Sequence, residues 1–273
     1  MTATATLRED IMAQLNRRIH FRCPTDTIYT FIVVGVGGTG GHLVPQLARL
    51  VHSTGIPHSI VLIDGDTVEE KNISRQNFIP SDIGKNKAEV LAQRYARAFG
   101  LEITAIPQYF EDARMLSEIE SKGHAHRIGA CVILGCVDNN KTRSLIADYV
   151  NKTMQEVYWI DAGNEEHAGQ VFFGLSKAAV RYHMPERPRH YLVTERYPEM
   201  LENDEARFNS ELSCAERAVS APQSMAANLM ASTLMVTYLN TLLFPEDRSI
   251  AHQEITFNTR TQAFTSHPFE LVG

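Results

Sequence analysis

Tyr29-Thr-Phe-Ile-Val-Val-Gly35-Val-Gly37-Gly38-Thr-Gly40-Gly41 decides the fold. An apolar run suited to a strand buried on both faces leads directly into five glycines in seven positions. Glycine costs backbone entropy, so this density marks a turn where the main chain must approach something closely. A helix starting near Thr39 would add N-terminal amides and the positive end of its dipole, which favour phosphate. Gly35, Gly37 and Gly40 give the spacing G-x-G-x-x-G between a strand and a helix, with Gly38 inside the loop. The alternative is a tight strand-to-helix turn without a ligand.

Outward from this loop, apolar runs alternate with helical periods as far as Asp161. The pattern predicts a helix over Thr39–Ser53 closed by Gly55, a strand Ser59–Asp64, a polar loop Gly65–Asp82 and a helix Lys85–Phe99. A strand Glu102–Pro107, a helix Asp112–Ser121, a strand Ala130–Leu134, a helix Lys141–Lys152 and a strand Val157–Asp161 follow. The fold class is α/β: a Rossmann-like, doubly wound, mostly parallel sheet. Beyond Asp161, Gly169–Leu175 and Gln253–Asn258 alternate like antiparallel C-terminal strands. Arg181–Ser213, rich in Pro, Arg, Glu and Tyr, predicts a long surface crossover, a candidate lid or partner-binding segment. The chain divides into an arm over 1–29, a nucleotide-binding core over 30–175, and a 176–273 portion completing the same domain.

Composition narrows the function. Among 273 residues, 26 Lys and Arg against 32 Asp and Glu give a net charge of -6, which offers no basic face to nucleic acid. Arg8, Glu9 and Asp10 interrupt the apolar core an export signal needs, so a cytoplasmic location is expected. The four cysteines, Cys23, Cys131, Cys136 and Cys214, form no C-x-x-C pair, so neither a disulfide framework nor a zinc site is expected. Ser224–Phe244 carries no charge and is long enough to span a bilayer, but Asn228, Asn240 and many small residues favour a buried or subunit-interface helix over a membrane span.

Candidate chemistry lies in Asp64-Gly-Asp66-Thr-Val-Glu-Glu-Lys-Asn72-Ile-Ser-Arg75-Gln76 and on to Lys87. Asp64 ends the second strand, where a carboxylate accepts from ribose hydroxyls in NAD and ATP sites alike; a simple turn is the alternative. Arg75 offers a planar fork to phosphate, and Lys87, near a helix start, a compact positive charge; either alone could be ordinary surface charge. Asp138 follows a buried strand, where a hard carboxylate suits Mg²⁺, or caps the helix beginning at Lys141.

Together these segments resemble the ThiF/MoeB and ubiquitin-activating-enzyme superfamily. The matching elements are the glycine loop, Asp64-Gly-Asp66-Thr-Val68, Asn72-Ile-Ser-Arg75-Gln76, Gly84-Lys-Asn-Lys87-Ala88 and Cys136-Val-Asp138-Asn139. Thr142-Arg143, Ala162-Gly163, Gly169-Gln170-Val171 and Ser213-Cys214-Ala-Glu216 continue the match. The resemblance implies a ThiF/MoeB-like homodimer that uses ATP and Mg²⁺ to adenylate the C-terminal glycine of a ubiquitin-like β-grasp protein. It places Gly35, Gly37, Gly38, Gly40, Asp64, Asp66, Asn72, Arg75, Gln76 and Lys87 around ATP, and Asp138 on Mg²⁺. Cys214 matches a cysteine that accepts the activated carboxyl in some relatives and is dispensable in others. Arg17-Arg18-Ile19 loosely matches an arm whose arginine reaches a neighbouring subunit's ATP, and surface charge is the alternative. The missing C-x-x-C pairs depart from many bacterial relatives. The character of Arg181–Ser213 resembles ThiF-family proteins of mobile-element (PRTRC-type) cassettes. A NAD-dependent oxidoreductase and a catalytically inactive nucleotide-binding scaffold are the competing functions.

Overall fold

The computed structural model describes residues 20–24, 27–56, 58–123, 129–201, 224–244 and 249–272. Its strands are β1 (Phe21–Arg22), β2 (Ile28–Val34), β3 (His58–Ile63), β4 (Ile103–Ile106), β5 (Gly129–Gly135), β6 (Val157–Asn164), β7 (Ala168–Leu175), β8 (Ser249–Ile250), β9 (His252–Asn258) and β10 (Ala263–Pro268). The α-helices among the described residues are α1 (Gly38–Thr54), α2 (Lys87–Phe99), α3 (Arg114–Gly123), α4 (Asn140–Lys152), α5 (Lys177–His183), α6 (Val193–Arg196) and α7 (Met225–Leu243).

Eight strands form one sheet in the order β10-β9-β7-β6-β5-β2-β3-β4. The five from β6 to β4 run parallel, while β7, β9 and β10 join antiparallel. The chain moves outward from β2 to β3 and β4, then returns to place β5 on the other side of β2. The adjoining carboxyl ends of β2 and β5 therefore flank the crevice where ligands of open α/β sheets bind.

Strand β2 is buried on both faces, as its uninterrupted apolar run requires. Phe31 and Val33 pack with Leu43 and Leu47 of α1, Leu91 of α2, and Ala231, Met235 and Leu239 of α7. Ile32 and Val34 face Ile146 and Val150 of α4, Leu116 of α3 and Val193 of α6. No helix among the described residues is long and apolar enough to cross a membrane, and α7 lies against the sheet. Phe21 packs edge-on against Tyr158 and Phe173, while β1 pairs with β8.

The expected long surface crossover needs correction over 181–201. Helices α5 and α6 occupy part of it, and Met184, Leu192 and Val193 are buried. Glu270 pairs with Arg196, and Gln253 Nε2 donates to His190 C=O, fastening this segment to the C-terminal strands. Residues 202–213 lie outside the described residues.

Candidate nucleotide site

At two positions of the glycine loop the main chain itself leaves no room for a Cβ. Gly35 has φ +84°, and a Cβ there would stand 2.9 Å from Cys136 O. A Cβ on Gly40 would fall 2.0 Å from Gly35 O. Gly41 N–H makes the first bond of α1, to Gly37 C=O at 3.1 Å, so the amides of Gly38, Thr39 and Gly40 precede the helical ladder. Those amides and the helix dipole create a place for an anion beside β5.

At the end of β3, Asp64 is buried, and its carboxylate accepts from Val36 N–H at 2.7 Å and Asp66 N–H at 2.9 Å. It thereby ties the glycine loop to the next strand. Burial pushes its pKa up to about 6 against the pull of nearby Lys87 and these amides. Lys87 opens α2, and its ammonium bonds Asp66 at 2.9 Å. Tyr109, just past β4, donates its hydroxyl to the other oxygen of Asp66 at 2.6 Å. Asn86 caps the helix, which therefore begins two residues later than Lys85: its side chain accepts from Glu89 N–H and donates to the carbonyls of Asp64 and Asp66. Asp66 therefore orients Lys87, with Tyr109 completing its shell.

The turn carrying Arg75 is docked onto α1. Pro45 has no N–H for the carbonyl of Gly41, which instead accepts from Asn77 Nδ2 at 3.0 Å. His42 Nε2 donates to Arg75 C=O at 3.2 Å; burial holds this imidazole below its ordinary pKa. Asn72 is buried and shapes the turn, its Oδ1 accepting from Glu69 N–H. Gln76 is buried over Gly37, with Nε2 3.4 Å from where a Cβ would be. Its Oε1 has no hydrogen-bond partner among the described residues.

Asp138 is exposed just past β5. The helix cap considered for it belongs to Asn139, whose Oδ1 accepts from Thr142 N–H at 2.8 Å. Behind this loop, Arg143 bonds Asp161 at 2.9 Å and donates to the carbonyls of Val137 and Ala162. Both ends of this pair are buried, so the guanidinium braces the stretch leading to Asp138. A single exposed carboxylate fits Mg²⁺, which commonly takes one or two protein carboxylates and completes its shell with phosphate and water. No cluster of three His, Cys, Asp or Glu suited to a metal exists among the described residues.

Sequence reasoning missed Tyr109, His42 and Asn164, and assigned no role to Arg143. Cys131 is buried within β5 and Cys136 follows its last residue, with burial raising the pKa of the Cys136 thiol. Cys214, Arg17 and Arg18 lie outside the described residues.

A mostly parallel sheet with a glycine-headed helix at its switch point is the arrangement found in nucleotide-binding α/β proteins. The ThiF family model matches residues 28–270, and the chain belongs to the ThiF family. It is 28% identical over 148 residues to Ubiquitin-like modifier-activating enzyme 5 of Oryza sativa subsp. japonica, covering 51% of this chain and 33% of that protein. It is 31% identical over 118 residues to Adenylyltransferase and sulfurtransferase UBA4 of Yarrowia lipolytica, covering 43% and 26%. The matches thus span about a third or less of the length of these relatives. Among solved structures, E. coli MccB with ATP aligns with a TM-score of 0.57 at 19% identity, over 89% of this chain and 64% of that one. PaaA gives 0.59 at 16% identity, over 89% and 65%. These likenesses establish the ThiF/MoeB-like fold.

Proposed function

We propose that the protein is an ATP-dependent adenylyltransferase acting on the C-terminal glycine carboxylate of a ubiquitin-like β-grasp protein. The carrying observation is the gathering of the glycine-headed α1, Lys87 held by Asp66, the docked Arg75 turn and exposed Asp138 around the carboxyl ends of the central strands. A dehydrogenase has no need of the last three. The relatives named for activation of ubiquitin-like modifiers and the MccB structure with ATP support the same reading.

In this reading α1's amides, Arg75 and Lys87 hold the phosphates. Asp64 is the ribose acceptor of this reading, and Gln76 lies over Gly37 beside the phosphate loop. Asp138 would hold Mg²⁺, which would supply charge neutralisation on the phosphates. The substrate carboxylate oxygen attacks the α-phosphorus, a new P–O bond forms, the bond to the β-phosphate oxygen breaks, and pyrophosphate departs with its electron pair. No protein nucleophile is needed, because binding positions the carboxylate and charge stabilises the transition state. The protein works as a cytoplasmic homodimer, and Cys214 is the candidate acceptor for later transfer; a thiol-sensitive adduct absent from Cys214→Ser would establish that step.

ATP–pyrophosphate exchange with candidate β-grasp proteins ending in glycine tests the proposal. Asp138→Ala should lower exchange about 10²- to 10³-fold while the fold survives. Undiminished exchange removes Asp138 from the mechanism, and ATP binding without exchange favours a scaffold.

A further inference from the structure

Helix α7 carries no charged residue, and its apolar composition gives no reason for an amide in its first turns, yet Asn228 there is fully buried. Its surroundings belong to the site. A Cβ on Gly38 would lie 2.6 Å from Asn228 Nδ2, so glycine in the first turn of α1 makes room for this side chain. Asn228 Oδ1 accepts from Asn164 Nδ2 at 2.9 Å, and Asn164 Oδ1 accepts from Thr39 Oγ1 at 3.0 Å. Asn228 Nδ2 points to Arg75 C=O at 3.5 Å, the same carbonyl that His42 reaches. One buried amide therefore meets the first turn of α1, the end of β6 and the Arg75 turn.

We infer that Asn228 is a positioning residue: it sets the Arg75 turn against the N-terminus of α1 so that both address one anion. The inference rests on the adenylation reading and adds to it a residue far along the chain that touches no substrate. A buried polar group is costly unless bonded, and an alanine or leucine would suit α7 better if packing were the sole requirement. The amide bridges elements that each supply part of the site. Farther along α7, Cys136 Sγ lies 3.7 Å from Met235 Sδ, so the same helix also underlies the loop leading to Asp138.

Titration calorimetry with MgATP on the full chain separates positioning from scaffolding. Its fitted stoichiometry counts folded molecules, and its Kd reports the site within them. Asn228→Ala and Asn228→Leu should weaken ATP about tenfold, less than the roughly 100-fold that an ångström of misplacement can cost, with stoichiometry unchanged. Adding Asn228→Ala to Arg75→Ala should cause little further loss: the carbonyl that Asn228 reaches is main chain and survives Arg75→Ala, but without the guanidinium the placement of the turn no longer matters to the anion. An unchanged Kd with lowered stoichiometry, or a full additive loss in the double variant, overturns the inference. If the Asn228 variants do not fold, Asn164→Ala reads the same chain of bonds from a less buried position: weakened ATP binding supports the inference and wild-type affinity overturns it. A wild-type protein that does not bind ATP overturns the adenylation reading together with this inference. Wild-type ATP binding indifferent to Asn228 and Asn164 overturns only the inference.

Discussion

Replacing Gly40 with alanine separates what the glycine loop does for folding from what it does for nucleotide. The new Cβ would stand 2.0 Å from Gly35 O, 3.0 Å from its carbonyl carbon and 3.2 Å from Cys136 Cβ. Relieving the first contact requires a backbone retreat of about 1 Å or more. Gly35 has little room to yield, since its N–H is bonded to Ile63 C=O at 2.9 Å and the space where its Cβ would be is closed by the carbonyl of Cys136. Overpacking of this kind costs about 1–3 kcal/mol, and alanine returns up to about 1 kcal/mol of helix propensity. The net loss of about 1–2 kcal/mol should lower Tm by roughly 2–8 °C. ATP binding should suffer more, by up to about 100-fold, because the phosphate loop itself moves. Gly55→Ala is the control: at φ +61° with no atom within 4 Å, it adds about 1 kcal/mol of left-handed strain far from the loop. Thermal unfolding and MgATP calorimetry on both variants should show a similar fall in Tm, and weakened ATP binding in Gly40→Ala alone. Wild-type ATP affinity in Gly40→Ala would refute the reasoning.

Arg143→Ala leaves Asp161 buried without its cation and should destabilise the fold by about 3–5 kcal/mol, read as a lowered denaturation midpoint. Tyr109→Phe removes a bond to the carboxylate that orients Lys87; a stability loss of about 1.5–3 kcal/mol, read as a lowered Tm, should come with weaker MgATP binding. Asp64 predicts a pH dependence with a definite sign. Its pKa rises from 3.8 unfolded to about 6 folded, so its stabilising contribution is complete below pH 3.8 and is lost as pH rises through about 6. The loss is on the order of 3 kcal/mol, and Asp64→Asn should flatten that part of a stability-against-pH curve measured by denaturant titration.

The parallel strands were legible because each is a buried apolar run, and α1 because Gly55 closes it in the left-handed conformation a C-cap favours. Strand β10 was not, since Ala263–Pro268 is mostly exposed and polar, and extends through its pairing with β9. In the crossover, α5 and α6 are too short for a period to emerge, and their order comes from contacts with distant strands. At the site, segments written contiguously could be read. Arg143 with Asp161, Tyr109 with Asp66 and Asn228 with Asn164 are partners brought together by folding, invisible to local spacing. Asn228 did leave a trace as an amide in an otherwise apolar stretch, and Gly38 as a glycine beyond the three that G-x-G-x-x-G requires.

The central claim, that this site activates a carboxylate with ATP, is tested most directly by intact-mass analysis of a glycine-terminated β-grasp protein incubated with the enzyme, ATP and Mg²⁺. The account predicts gain of one AMP at the C-terminus with release of pyrophosphate, abolished when that carboxylate is amidated and strongly reduced by Asp138→Ala. Absence of the AMP adduct across the candidate proteins, together with thermal stabilisation by NAD(H) and not by MgATP, would contradict it.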